Sequence, residues 1–231
     1  MTVADNVKDV AERISRAASR AGRRVEDIKL VAITKTVDLD MIREAIEAGV
    51  RVFGENYLQE ARGKIAAIGH GVEWHMTGHL QRNKARDAVN LFDMVQTIDS
   101  LELAQELDKR ARSAGKIISG LIEINIGGEG SKSGIGEDEL NPLLDSIKVL
   151  NNLTIQGLMT IPPYFDDIEK VRPYFKRLRD LRDAANNKGF SLKELSMGMS
   201  HDFEIAVEEG ATIVRIGTAI FGERRWIDVE K

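Results

Sequence analysis

The sequence predicts an α/β protein folded as a single (β/α)8 TIM-type barrel with an extra N-terminal helix, and three observations carry that expectation. Short apolar runs alternate eight times with amphipathic stretches. The 231 residues suit one such barrel, which typically takes about 250 and manages with about 200. No Pro/Ser-rich linker, low-complexity tract or compositional shift divides the chain, so 1–231 is expected to be one domain. An open doubly wound sheet of similar strand number is the alternative.

The elements follow in order. Val7, Val10, Ile14, Ala17 and Ala21 recur at steps of three and four, marking one face of a helix that Gly22 caps. This helix precedes any βα unit and is expected to lie against the barrel. The first strand, 30–33, runs into Lys35, and a helix over 40–48 stops at Gly49. Residues 50–56 read as the second strand, followed by a helix over 57–68 with Leu58, Ala61, Ile65 and Ile68 on one face. The third strand is 72–78, with a short helix at 82–88; the fourth is 94–98, with a helix at 101–114. The fifth, 120–126, empties into the glycine-rich loop 127–136 before a helix over 138–150. After the sixth, 154–159, a helix over 168–186 should restart or bend at Pro173. A seventh strand at 194–197, a helix at 202–208 and an eighth strand at 212–216 complete the pattern.

Composition narrows the function classes. Lys and Arg number 33 against 37 Asp and Glu, a net charge of −4, with no long run of one sign, which argues against a general nucleic-acid binder. The chain has no cysteine, hence no disulfide or thiolate metal site, which suits a reducing cytoplasm. The N-terminus lacks a basic segment followed by an apolar block, so no secretory signal is expected. No stretch reaches the roughly 18 to 20 apolar residues of a membrane span.

In such a barrel the carboxyl ends of the strands would collect Lys35, Glu55-Asn56, His75, Thr77-Gly78-His79, Asn125, Lys132-Ser133-Gly134, Met159-Thr160, Gly198-Met199-Ser200 and Gly217-Thr218. The strand starts carry nothing comparable. That one-sidedness points to a ligand site, because residues needed only for solubility would be spread over both ends. Lys35 reads either as a desolvated amine able to form a Schiff base or as a solvated loop lysine. The segments 196–200 and 216–222 supply hydroxyls, small residues and backbone amides for a phosphate, or else ordinary turn glycines. Arg215 interrupts an apolar strand, which requires an ion pair or a bound ligand. A strand-end lysine, a phosphate cradle and a buried arginine together suggest pyridoxal 5'-phosphate, which carries both an aldehyde and a phosphate.

Six segments in chain order then match a known family: 31–36 (Val-Ala-Ile-Thr-Lys-Thr), 53–57 (Phe-Gly-Glu-Asn-Tyr), 74–84, 157–160, 196–200 and 215–218. The chain resembles the pyridoxal-phosphate homeostasis proteins, YggS-like relatives of the N-terminal barrel of alanine racemase. The resemblance implies a fold-type III barrel that binds the cofactor. It assigns Lys35 to the internal aldimine, Ser200, Gly217 and Thr218 to the phosphate, and Arg215 to the pyridine nitrogen. Asn56 and His75 would line the ring, with Met199 beside them. One departure is visible. Many relatives carry a second lysine two positions after the first; here Val37 stands there, leaving Lys132 as the other lysine near the mouth.

The expected activity is cofactor binding, buffering and delivery to apo-enzymes, by a monomer in the cytoplasm. A weak amino-acid racemase is the alternative. Racemization needs a second proton-handling group, and none of Tyr57, Tyr164 and Tyr174 stands at the position of the alanine racemase base, which a separate β domain supplies. A Schiff-base aldolase on a phosphorylated substrate, with Glu55 as acid-base partner, is a further alternative. Two motifs fail. The loop 127–133 lacks the glycine that a nucleotide-phosphate loop needs before its lysine, since Ser131 stands there. His75 and His79 lie on a strand end and a loop, without the companions of a metal site.

Overall fold

The computed structural model describes residues 1–128 and 133–223. Eight parallel strands close into a barrel: β1 (Lys29–Ile33), β2 (Val52–Glu55), β3 (Glu73–Met76), β4 (Met94–Ile98), β5 (Ile118–Glu123), β6 (Leu153–Met159), β7 (Glu194–Ser196) and β8 (Ile213–Ile216). Closure is made by β8 against β1, with Leu30 opposite Val214 and Ala32 opposite Ile216. The open-sheet alternative is thereby set aside.

Helices α1 (Val3–Arg20), α2 (Leu39–Glu47), α3 (Leu58–Ile68), α4 (Ala85–Leu91), α5 (Leu101–Ser113), α6 (Leu140–Ile147), α7 (Arg172–Asn187), α8 (Phe203–Glu208) and α9 (Thr218–Phe221) accompany the strands. The strands are buried on both faces over most of their length, with β6 opening at Thr154–Gln156, which is why they read as apolar runs rather than as alternations. One face fills the barrel, where Val31, Ile33, Val52, Met94, Leu121, Met159 and Ile213 form their own cluster. The other packs under the helices, where Phe53 and Trp74 meet with ring centroids 5.4 Å apart and are fully buried. Truncating either to alanine would cost roughly 3–5 kcal/mol.

The N-terminal helix lies where expected. Thr2 and Asp5 close a capping box at its start. Its apolar face packs on α2, α8 and α9, and Arg13 reaches Glu204 at 2.9 Å while lying over the Phe203 ring.

Two local differences from the sequence reading have physical causes. The fifth strand ends at Glu123, and Ile124 makes an isolated bridge to Ile135 instead, where the Ile135 amide donates to the Glu123 carbonyl and the Asn125 amide to the Ile135 carbonyl, both at 2.9 Å. The helix restarts at Pro173 as expected: a 3-10 turn over Ile168–Val171 precedes α7, and the proline occupies the first turn of α7, where no amide hydrogen bond is lost. The four-residue α9 went unanticipated, because so short a helix carries no periodicity to read. Among the described residues, no helix is long and apolar enough to cross a membrane.

Candidate functional site at the barrel mouth

The site is built around the turn that carries Lys35. β1 ends at Ile33, and Thr36 follows Lys35 with φ of 59°, a left-handed conformation unusual for a β-branched residue. Holding it there costs of the order of 1–3 kcal/mol, so the surroundings must over-determine the turn. They do. The Thr36 amide donates to Glu60 Oε2 at 2.8 Å. Lys64 Nζ donates to the Thr34 carbonyl at 2.6 Å, to Glu55 Oε1 at 2.8 Å and to Glu60 Oε2 at 3.0 Å. The Thr34 hydroxyl donates to the same Glu55 oxygen. Glu55 is completely buried and Lys64 nearly so. Burial pushes the Glu55 carboxyl up, and the Lys64 ammonium opposes that.

This clamp reassigns Glu55. It sits behind the turn and does not line the mouth cavity, so the aldolase alternative loses the carboxylate it invoked. Lys64 was missed from the sequence, although a signal exists: it lies three residues after Ala61 and one before Ile65, on the buried face of α3.

At the mouth, Lys35, Asn56, Met199, Ser200, Arg215, Gly217 and Thr218 line one cavity of about 330 Å³. Larger clefts exist, one of about 720 Å³ beside α3 and one of about 560 Å³ at the barrel foot. The mouth is the candidate site because the chemistry converges there rather than because of its size.

The loop after β7 is shaped for this. Gly198 has φ of 90°, and a Cβ there would meet the Ala206 side chain at 2.5 Å. Asp202 accepts from the Met199 amide at 2.7 Å and so closes the turn that presents Ser200; burial pushes its carboxyl up. Across the cavity, the amides of Gly217 and Ala219 both point at Ser200 Oγ, at 3.3 and 3.2 Å. Two backbone donors and a hydroxyl therefore already converge on one place. Asn56 is set by a donation from the Thr77 hydroxyl to its Oδ1 at 3.1 Å. Gly78 is required behind it, since a Cβ would collide with the Asn56 backbone.

Arg215 is not paired in a salt bridge among the described residues. Its guanidinium donates to Ser196 Oγ at 2.6 Å and to the Thr160 carbonyl at 2.8 Å, both neutral acceptors. Burial pulls its pKa down to about 10, with Glu123 and Asp202 opposing. It therefore remains a cation at neutral pH. Glu123, at the end of β5, is pushed up to about 7, first by burial and then by Asp99, against the pull of Arg215. Its Oε2 has no hydrogen-bond partner among the described residues.

His75 is placed differently from the sequence expectation. It points into the barrel and is fully buried beneath the mouth, between Glu73 and Gln96, and does not line the cavity. Side chains on one face of a strand recur every second residue, so Thr77, just past the end of β3, is the residue on that face that reaches the cavity. Tyr164 and His201, by contrast, do line it, with rings stacked at 5.1 Å. Val37 is buried in the main core, so the side chain two positions after Lys35 faces away from solvent. Lys132 lies outside the described residues. Among the described residues, no group of three or more His, Asp or Glu side chains is placed to hold a metal ion.

Fold and mouth together define a barrel of the alanine racemase type: residues 6–225 match the family described as "Alanine racemase, N-terminal domain". Full alanine racemases share the fold, as in the Clostridium difficile enzyme at TM-score 0.73 and 18% identity, over 98% of this chain and 59% of that one. Closer relatives sharpen the assignment. The pyridoxal phosphate homeostasis protein of Aquifex aeolicus is 44% identical over 98% of this chain and 100% of its own length. That of Escherichia coli K12 is 41% identical over 96% and 97%. PipY of Synechococcus elongatus, solved with PLP bound, superposes at TM-score 0.81 with 35% identity, covering 92% of this chain and all of that one. The chain belongs to the pyridoxal phosphate homeostasis protein family.

Proposed function

We propose that this protein binds pyridoxal 5'-phosphate at the barrel mouth and holds and hands on the cofactor rather than turning over amino acids. The donor set fits that group. A cavity of about 330 Å³ lies at the small end of the usual range for small-molecule sites, about 300–1,000 Å³. Ser200 and the amides of Gly217 and Ala219 would take the phosphate, and Thr218 stands beside them. Lys35 stands at the rim to capture the aldehyde. When bound, the cofactor supplies that electrophile and a ring that can withdraw electrons from an attached amine.

The observation that carries the reading is Arg215. With a pKa near 10, it is protonated at neutral pH and can donate to a ring nitrogen but not give the ring a proton. A ring left neutral withdraws electrons poorly, which suits storage better than carbanion chemistry. Met199 and Asn56 would flank the ring. An absorption spectrum of the protein incubated with pyridoxal phosphate, repeated on Lys35→Ala, tests this. A visible band in the wild type that is lost in the variant is expected; a colourless wild type would refute it.

One observation favours a second reading. Tyr164 and His201 line the same cavity as Lys35 and carry groups able to exchange a proton there. Interconversion of amino-acid enantiomers by the cofactor-loaded protein, lost in Tyr164→Phe, would establish a weak racemase. The wider setting, a cytoplasmic monomer delivering to apo-enzymes, rests on family membership and the cysteine-free composition. Light scattering and transfer to an apo-enzyme test it.

A further inference from the structure

Beneath Arg215 a continuous line of hydrogen bonds crosses the barrel. Arg215 donates to Ser196 Oγ at 2.6 Å, and the Ser196 hydroxyl donates to Gln96 Oε1 at 2.6 Å. Gln96 Nε2 meets His75 Nδ1 at 2.7 Å, and His75 Nε2 meets Glu73 Oε1 at 2.9 Å. Glu73 also accepts from Lys29 at 3.2 Å, at the amino-terminal end of the barrel. Ser196, Gln96 and His75 are fully buried, so none can exchange a partner for water.

The ends fix the direction of every link. A guanidinium can only donate, so Ser196 accepts from it and turns its one proton toward Gln96. The amide must then present its oxygen to Ser196 and its NH2 to His75. Nδ1 is thereby the acceptor, and Nε2 carries the proton donated to Glu73, whose carboxylate Lys29 also holds through both oxygens at 3.2 Å. The line runs from a permanent cation at the mouth to a permanent anion at the foot with no reversal.

We propose that His75, Gln96 and Ser196 form a one-directional hydrogen-bond line, anchored by Glu73, that positions the Arg215 guanidinium for its ligand. They are positioning residues. The inference rests on the proposal that Arg215 faces bound pyridoxal phosphate, but the line itself belongs to the free protein. It also gives His75 a task consistent with its absence from the cavity lining. Without Gln96, the Ser196 hydroxyl is free to rotate and compete for other acceptors, and Arg215 loses the orientation of one of its two neutral acceptors.

Two measurements test it. In the wild-type protein without cofactor, nitrogen-15 NMR of His75 should show the neutral imidazole protonated at Nε2; an Nδ1–H tautomer or an imidazolium at neutral pH overturns the line. In Gln96→Leu, the Kd for pyridoxal phosphate should rise by about threefold to tenfold, one hydrogen bond's worth, with the cofactor still trapped on Lys35 by borohydride. An unchanged Kd in a variant whose melting temperature has fallen would show a merely structural role and overturn the proposal. If neither protein binds the cofactor, the functional reading fails, and the NMR result alone decides the line.

Discussion

Lys64→Met removes the ammonium that ties the Lys35 turn together. The variant keeps the aliphatic stem but loses donors to the Thr34 carbonyl, Glu55 and Glu60. Glu55 would be left fully buried with only the Thr34 hydroxyl against one oxygen, while its Oε2 has no partner among the described residues. Breaking a buried pair typically costs 3–5 kcal/mol, and the slight exposure of Lys64 puts the expected loss near 3 kcal/mol. For a chain of this size, at about 2–4 °C per kcal/mol, that is a fall in melting temperature of roughly 6–12 °C. The sign of the pH dependence follows from Glu55. A carboxyl whose folded pKa is raised contributes stability below its unfolded value and loses it as pH rises through the folded one. With Lys64 gone only the Thr34 hydroxyl opposes that rise, so the deficit should grow from acid toward neutral pH. Urea unfolding followed by circular dichroism measures it, together with the double variant Lys64→Met/Glu55→Leu. Because the double variant strands no charge, it should regain at least about 1 kcal/mol over additivity. A single-variant loss below about 1 kcal/mol, or strict additivity, would refute the clamp.

Other consequences are as specific. Glu123, raised to about 7, contributes stability in full below about 4.5 and loses it as pH rises through 7. Glu123→Gln should therefore match the wild type near pH 4 and exceed it at pH 8 by up to about 3 kcal/mol, at 1.36 kcal/mol per unit; a pH-independent difference in urea unfolding would contradict this. Gly198→Ala combines a left-handed φ with a Cβ contact at 2.5 Å, so it should lose about 1–3 kcal/mol and weaken phosphate binding by displacing Ser200. Calorimetry that finds it neutral would count against the shape argued for that loop. Ser200→Ala should raise the Kd for pyridoxal phosphate more than that for pyridoxal, because only the phosphorylated form would use the Ser200–Gly217–Ala219 cradle. Equal losses would remove the phosphate from that end.

The barrel was legible because its signals are local and repeated: buried strands read as apolar runs, and helices as periodic faces. The rim residues were legible for a related reason, since a strand's end fixes which edge of the barrel a residue occupies. Depth was not. His75 and Thr77 both sit at the end of the third strand, and only the closed barrel reveals that one is roofed over while the other opens to the cavity. Long-range partnerships were equally hidden. The clamp joins Thr34, Glu55 and Lys64 across β1, β2 and α3, and the line under Arg215 joins β3, β4, β7 and β8. No spacing in the sequence encodes such contacts. Tyr164 and His201 came together because two separate loops fold over the same rim.

The central claim is that Lys35 anchors pyridoxal phosphate. Its most direct test is intact-mass and peptide mapping of the protein after incubation with stoichiometric pyridoxal phosphate and borohydride reduction. One adduct on the peptide containing Lys35, absent from Lys35→Ala, is expected. An adduct confined to other lysines, or equal labelling of the variant, would contradict the account.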